Sequence, residues 1–565
     1  MKKKKAFALF CVGILAVSLA GCGLFSGRDS SATRENRKEK ESAIEEESEE
    51  EESKEEAAGA VEEEEAASVF SPEAIAIKKS YFQTAEDGTV LLEGSSAAPV
   101  LTESGEEFFP ELGKALRQEA EKHLQEREKE IQEEIQDAKE QYSYPDGFFG
   151  QYEDEEGVSI MRMDEKVASF FFPRQAYLGG AHGSNWYDCA TYDSRTGKRL
   201  VLADVLADEA SLTGIIREEL LAAYPEPDFL WEMEDSLPHY DPSLLEYEET
   251  EDWENYKVPY IWALTPVGLL LYFDAYALNS YAEGSQAVIL SYEKYPELFA
   301  PAYVPEAQEA FFFHLGYSSR LFDGDGDGEI DEITVSPEYS YDEEEVTIKK
   351  FSLSFNESTA EVGELYLSGA RDYSAYFVRT GNGKNYLYLL CNEMDNALRL
   401  SVFDFAGGKI SLAGEKWYQR PIVSYDDTNG YTERLLSDPD HFWLDSRFDI
   451  LASFLAGKYY HVGPDGMPES EEEVYQISSW GSYGELVSKA DIDCQIVDEE
   501  GNVLSEETLP SGESFWGLRT DGKTYIDCRI SDGRIARLKI TSTEFPCEIN
   551  GISAEELFEE LYYAS

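Results

Sequence analysis

The stretch LFDGDGDGEIDEITV (Leu321–Val335) sets Asp323, Asp325 and Asp327 at alternate positions and follows them with Glu329 and Asp331. Carboxylates at that spacing repel one another strongly unless a cation sits among them. Oxygen-only ligands of this kind suit calcium better than zinc. Gly328 permits the sharp turn that wrapping an ion requires, and the Glu329 backbone carbonyl supplies a further oxygen. Thr334 stands where an EF-hand loop places its bidentate Glu, and no helical pattern flanks the loop; Ile330, Ile333 and Val335 open a strand instead. The expectation is a structural calcium site of modest affinity, set against a plain acidic turn at the surface.

A second stretch, AYLGGAHGSNWYDCATYD (Ala176–Asp193), wraps His182 in Gly179, Gly180 and Gly183. Such a histidine could be a catalytic base, a metal ligand or the polar plug of a tight turn. No second histidine or acid motif stands beside it, and the chain's six histidines and seven cysteines form neither HExxH nor CxxC. Glycines permit positive φ and close backbone approach. Their turn can present Tyr177, His182, Asn185, Trp186 and Tyr187 together, as a partner-binding surface or simply as a structural turn. Paired carboxylates could cleave glycosides, but among 115 acidic residues no pair is singled out. No catalytic residue is assigned, and the chain is expected not to be an enzyme.

The elements that must carry these loops follow from periodicity. Ala74–Phe82 and Thr89–Ser96 alternate as strands. Glu111–Gln141 is one long helix, with Leu112, Leu116, Ala120, Leu124, Ile131, Ile135 and Ala138 on a thin stripe. A Tyr144–Gly147 break precedes further strands, a turn at Ser194–Lys198, a helical segment entered through RLVLADVL, and a buried strand pair around Thr-Pro-Val-Gly. Mixed strands and helices without βαβ alternation give an α+β class for this first part. The rest is mainly β, an antiparallel meander or sandwich: VTIKKFSLSF, GELYLSG, SAYFVRT, NYLYLLCN, LRLSVFDF and GKISLAGEKWY alternate between glycine-rich turns, with a last helix at Ala554–Tyr562. Cys189 falls on a strand and reads as packed and inert; pairing among Cys494, Cys528 and Cys547 is left open.

Several of these motifs recur in order elsewhere. VASFFFPRQAYLGGAHGSNWYDCATYDSRTGKRLVLADVL, followed by IWALTPVGLLLYFDAYALNSYAEGSQAVILSYEKY, resembles the RsiV/PdaC-like extracytoplasmic domain family over about residues 70–300. That family includes the ectodomain of a lysozyme-sensing anti-sigma factor and a module of a peptidoglycan deacetylase. The resemblance implies an envelope protein that binds lysozyme-type muramidases or cell-wall material. The sequence carries neither a transmembrane helix with a sigma-binding segment nor a deacetylase domain with its Asp and His ligands. The acidic loop is similar to the Asp-x-Asp-x-Asp-Gly-x-x-Asp loops of dockerin-like and integrin-type repeats, which implies calcium there.

The N-terminus sets the compartment. Lys2–Lys5 precede an apolar run, Ala6–Leu19, too short to span a bilayer comfortably, and Leu19-Ala20-Gly21-Cys22 resembles a bacterial lipobox. Cys22 is therefore the expected lipidation site, anchoring the chain at the outer face of the cytoplasmic membrane of a Gram-positive bacterium. Residues 23–67 form an acidic tether with almost no large apolar residue, which spans roughly 35–40 Å as a flexible coil. The net charge of −68 divides into +4 over residues 1–33, −11 over 34–65 and −61 over the remaining 500. Such acidity argues against nucleic acid and favours cationic partners or metal ions, set against a charge that only keeps a surface protein soluble; lysozyme as the cationic partner is what the resemblance implies. The expected organisation is a signal peptide at 1–22, the disordered linker at 23–67, the α+β module at 68–305, a β-rich domain with the calcium-type loop at 306–490 and a small β-rich segment at 491–565. The competing readings are a peptidoglycan-modifying enzyme and a calcium-stiffened structural or adhesion lipoprotein.

Overall fold

The computed structural model describes residues 73–561 and 563, apart from 145–148, 226–228, 248–254, 307–309, 317–319, 326–329, 343–344, 364, 366, 368–372, 394–396, 426–429 and 481–484. The signal segment, Cys22 and the tether lie outside the described residues, as do Asp327 and Glu329, most of the Tyr144–Gly147 break and much of GELYLSG.

Strands at Ala74–Thr84 and Val90–Leu101 pair in antiparallel register and carry the helix Pro110–Tyr142 on one face. All seven residues of the apolar stripe are buried under that helix, as expected. Arg127 and Glu134 are buried with them, because each lies three or four residues from stripe positions and so shares the same face. The sheet continues through Tyr152–Glu156, parallel to Val90–Leu101, to Val167–Tyr177, which also pairs with Ser159–Met163 and Ser184–Asp193. A smaller three-stranded sheet, Ile261–Leu264, Gly268–Phe273 and Gln286–Ser291, packs against the helix Glu209–Ala223.

The other edge of the first sheet comes from far along the chain. Gly430–Arg434 pairs with Ala74–Thr84, from Ile75 opposite Arg434 to Lys79 opposite Gly430, and Ile422–Tyr425 pairs with Gly430–Arg434 in turn. One apolar core likewise runs from Met161 and Phe171 through Leu270 and Tyr272 to Phe313, Phe377 and Phe403. Residues on both sides of position 305 thus share a sheet and a core, and a fragment ending there would lose one edge of that sheet and much of that core.

The second half is mostly strand, as its alternating pattern implies. An antiparallel series runs through Tyr373–Arg379, Asn385–Asn392, Ala397–Asp404 and Ser411–Gln419, then Phe442–Ile450 and Ala452–Val462. Residues beyond about 450 fill their own core around Phe515, Ile526 and Leu538. The last helix is a single turn, Ala554–Leu557, and does not reach Tyr562. Phe558 bridges to Ser488 and the Glu559 N–H donates to the Val487 carbonyl, so strand pairing claims the backbone that a longer helix would need. The five described cysteines form no disulfide with one another; Cys189 packs against the core, and burial pushes its thiol well above the ordinary range.

Candidate functional site

The strands Val167–Tyr177 and Ser184–Asp193 form one hairpin, with Ala176 opposite Ser184 and Arg174 opposite Trp186. The glycine-wrapped segment is its tip. Gly179 has φ +72°, and a Cβ there would stand 2.7 Å from Gln141 Oε1 and 2.9 Å from Tyr152, so both conformation and space require glycine. The tip is thereby seated against the end of the long helix.

His182 is exposed and lies flat against Tyr281, with ring centroids 4.0 Å apart. Its Nδ1 is 2.9 Å from the Gly183 carbonyl, which also accepts a 2.6 Å hydrogen bond from the Tyr281 hydroxyl. Tyr276, 59% exposed, stands 5.7 Å from Tyr281 and has φ +73°, an uncommon conformation for a bulky residue. His182, Tyr281 and Tyr276 therefore form a row of rings at the surface. Tyr276 and Tyr281 were not among the expected site residues, although YFDAYALNSYAEGS contains both; nothing local in that segment says which tyrosine meets the hairpin tip.

The five expected surface residues do not form one patch. Neighbours on a strand face opposite ways. Trp186 is exposed, whereas Tyr187 is half-buried, stacks on Phe171 at 5.5 Å and meets Tyr272 at a tilt at 5.2 Å. Tyr187 is only partly buried, and its ring packs against the shared apolar core. Asn185 is exposed; Tyr177 is half-buried against Gly150.

Trp186 is held from behind by charge. The Arg174 guanidinium lies over the indole at 5.2 Å. Arg174 Nε donates to Asp154 Oδ1 at 2.7 Å, its Nη2 bonds Asp154 Oδ2, and it reaches Glu130 and Glu134 at 3.3 Å. Arg127 grips the same Asp154 at 3.0 Å and Glu130 at 2.7 Å. His123 and Glu156 extend the network with a 2.9 Å contact. Asp154 is fully buried. Burial opposes its ionisation, but the Arg174 hydrogen bonds and the Arg127 charge more than offset that and hold its carboxyl below the usual range. Glu134 goes the other way: burial, then the Asp154 charge, push its carboxyl up to about 8.

The acidic loop joins Arg320–Phe322 to Asp331–Asp342, with Phe322 opposite Asp331. It leads into a strand that holds Ile333 and Val335, as expected, both buried; Ile330 is exposed and lies one residue before the strand begins. Carboxylate oxygens of Asp323, Asp325 and Asp331 lie within 4.8 Å of one another. Asp331 also closes the turn: its Oδ2 accepts the Gly324 and Asp325 N–H groups at 2.9 and 3.2 Å, and its Oδ1 accepts Asn356 Nδ2 at 2.6 Å.

Two solved structures are similar to part of this chain. One is a member of the DUF3298 family from Bacteroides fragilis, 17% identical with a TM-score of 0.29, covering 41% of this chain and 94% of that one. The other is a DUF3298 family protein from Pseudomonas aeruginosa, 15% identical with a TM-score of 0.27, covering 41% of this chain and 97% of that one. No family model matches the sequence, and no curated protein does.

Proposed function

We propose that this chain is a lipid-anchored binding or sensing protein of a Gram-positive surface, tethered through Cys22, whose hairpin tip captures a basic protein of the lysozyme-type muramidase class. The observation that carries the reading is the row of rings at the surface, exposed His182 and Tyr276 with half-buried Tyr281 touching both, held by in-chain contacts at the hairpin tip. His182 Nδ1 faces a carbonyl and its ring stacks on a tyrosine, an arrangement for presenting a surface rather than for moving a proton. Rigid aromatic anchors with a polar edge are what binding hot spots use, and a body of charge −61 steers a cation toward them.

Calorimetry with the full mature chain and a basic lysozyme should give binding that weakens as salt rises. Tyr281→Ala combined with Trp186→Ala should weaken it at least ~10-fold, the loss expected of two hot-spot residues. No heat at ~10 μM would sink the muramidase reading, and binding to wall fragments in its place would turn it toward glycan.

A structural calcium ion in the acidic loop is a second part of the proposal, supported by the convergence of Asp323, Asp325 and Asp331. Extracellular modules hold calcium at about 10⁻⁴–10⁻³ M. At ~5 mM calcium, mass action on the folded state then adds about 1–2 kcal/mol. The melting temperature of the full chain should rise with calcium and fall back with chelator, and Asp325→Ala should abolish the response. Asp325 is the residue to change, since Asp331 is needed to close the turn whether or not an ion binds. A melting curve indifferent to calcium leaves an acidic turn.

A further inference from the structure

The hairpin Phe442–Ile450 and Ala452–Val462 sets Trp443 directly opposite Tyr459. Their rings meet edge to face at 4.9 Å and floor an open depression of about 460 Å³, lined also by Glu472, Glu473, Val474 and Gln476.

The protein fixes both rings from behind. The Arg434 guanidinium lies 4.4 Å from the Trp443 ring, and His441 stacks on Tyr459 at 3.8 Å. Trp443 Nε1 donates to the buried Asp445 carboxylate at 2.7 Å, and the Tyr459 hydroxyl meets Glu73 Oε2 at 3.1 Å. Gly457 makes room for this, since a Cβ there would collide with the indole and with Asp445. The polar atoms of both rings are thus engaged inward, and the rings offer the depression apolar carbon alone.

The rim has the opposite character. Glu471, Glu472 and Glu473 are consecutive and exposed. Glu472 Oε2 accepts the Tyr459 N–H at 3.1 Å, and Lys458 Nζ donates to the Glu472 carbonyl, which pins the segment over the floor. Among the described residues Glu473 makes no ion pair, while Lys458, the cation nearest in sequence, is turned to that carbonyl and lies 4.5 Å from the Tyr475 ring.

An apolar aromatic floor under a carboxylate rim matches one chemical class, an alkyl chain ending in a cation. A neutral sugar lacks the positive charge that the Glu471–Glu473 rim complements. We propose that this depression binds an alkylammonium group, the side chain of a lysine in a basic polypeptide. The alkyl stem lies on Trp443 and Tyr459, and the ammonium meets Glu473. The site is separate from the hairpin tip and stands or falls independently of it.

The test uses the full mature chain labelled at its tryptophan indoles, with the Trp443 resonance assigned from Trp443→Phe. Nα-acetyl-lysine amide is titrated to ~20 mM, about twenty times a Kd of ~1 mM and enough to nearly fill such a site. The Trp443 indole signal should shift and saturate. Glu473→Gln, a surface change, should weaken binding about three- to fivefold, the worth of an exposed charge pair. Nα-acetyl-norleucine amide, which keeps the stem and lacks the charge, should bind more weakly by a similar factor. An unmoved Trp443 signal, equal binding of the norleucine amide, or a response to N-acetylglucosamine disaccharide in place of the lysine amide would overturn the proposal.

Discussion

Arg174→Met is expected to lower the stability of the folded body by about 3 kcal/mol, measured by chemical denaturation of the full chain. Arg174 makes two hydrogen bonds to Asp154, a carboxylate with no exposure to water. Removing one partner of a buried pair costs about 3–5 kcal/mol, chiefly through the charge left behind. Arg127 still reaches Asp154 at 3.0 Å, which places the effect at the low end of that range. Arg174→Lys should recover only part of the loss, because an ammonium cannot supply the two parallel donors of a guanidinium. Trp186 gives a second reading: without the guanidinium 5.2 Å from its ring, the indole loses its backing, and muramidase binding should fall beyond what stability explains. A change under ~0.5 kcal/mol would show that Arg127 alone satisfies Asp154.

That network marks where the sequence stops being legible. The long helix could be read from Leu112, Leu116, Ala120, Leu124, Ile131, Ile135 and Ala138, since apolar residues at that spacing have one helical solution. Arg127 and Glu134 sit on the same stripe, yet a charged residue type argues for solvent, and only their partners on the strands explain the burial. Asp154 lies in the acidic run Glu153–Glu156, where residue type alone does not say which carboxylate is paired and buried. The hairpin tip could be read from Gly179 and Gly183, and its tyrosine partner could not, because Tyr281 lies 98 residues beyond Gly183. The same holds for Gly430–Arg434, whose pairing with Ala74–Thr84 depends on contacts that local pattern does not encode. Alternation does encode the strands themselves, and the β-rich second half follows from it.

The pH dependence of stability should report on Glu134. Its carboxyl is pushed from an ordinary value of 4.5 up to about 8, by burial first and then by the Asp154 charge. Facing it are Asp154 from the neighbouring strand, Arg174 from the hairpin, and Arg127 and Glu130 from its own helix. Glu134 Oε2 has no donor within reach, and a proton on it hydrogen-bonds Asp154. The folded state therefore binds more protons than the unfolded chain between these two values. Stability is greatest below about 4.5 on this account and falls as pH rises through about 8. At ~1.4 kcal/mol per unit, the share lost between pH 6 and pH 9 is about 2–3 kcal/mol. Glu134→Gln mimics the protonated form and cannot ionise. Its stability should match the parent below about pH 4.5, exceed it by about 2 kcal/mol near pH 6, and exceed it by about 2–3 kcal/mol more near pH 9. Comparing the two proteins cancels the titration of other buried acids such as Asp274 and Asp445, pushed by burial to about 7 and about 6. Parallel denaturation profiles from pH 6 to pH 9 would mean that Arg174 keeps Glu134 ionised throughout, and that the helix meets the sheet through four carboxylates rather than three.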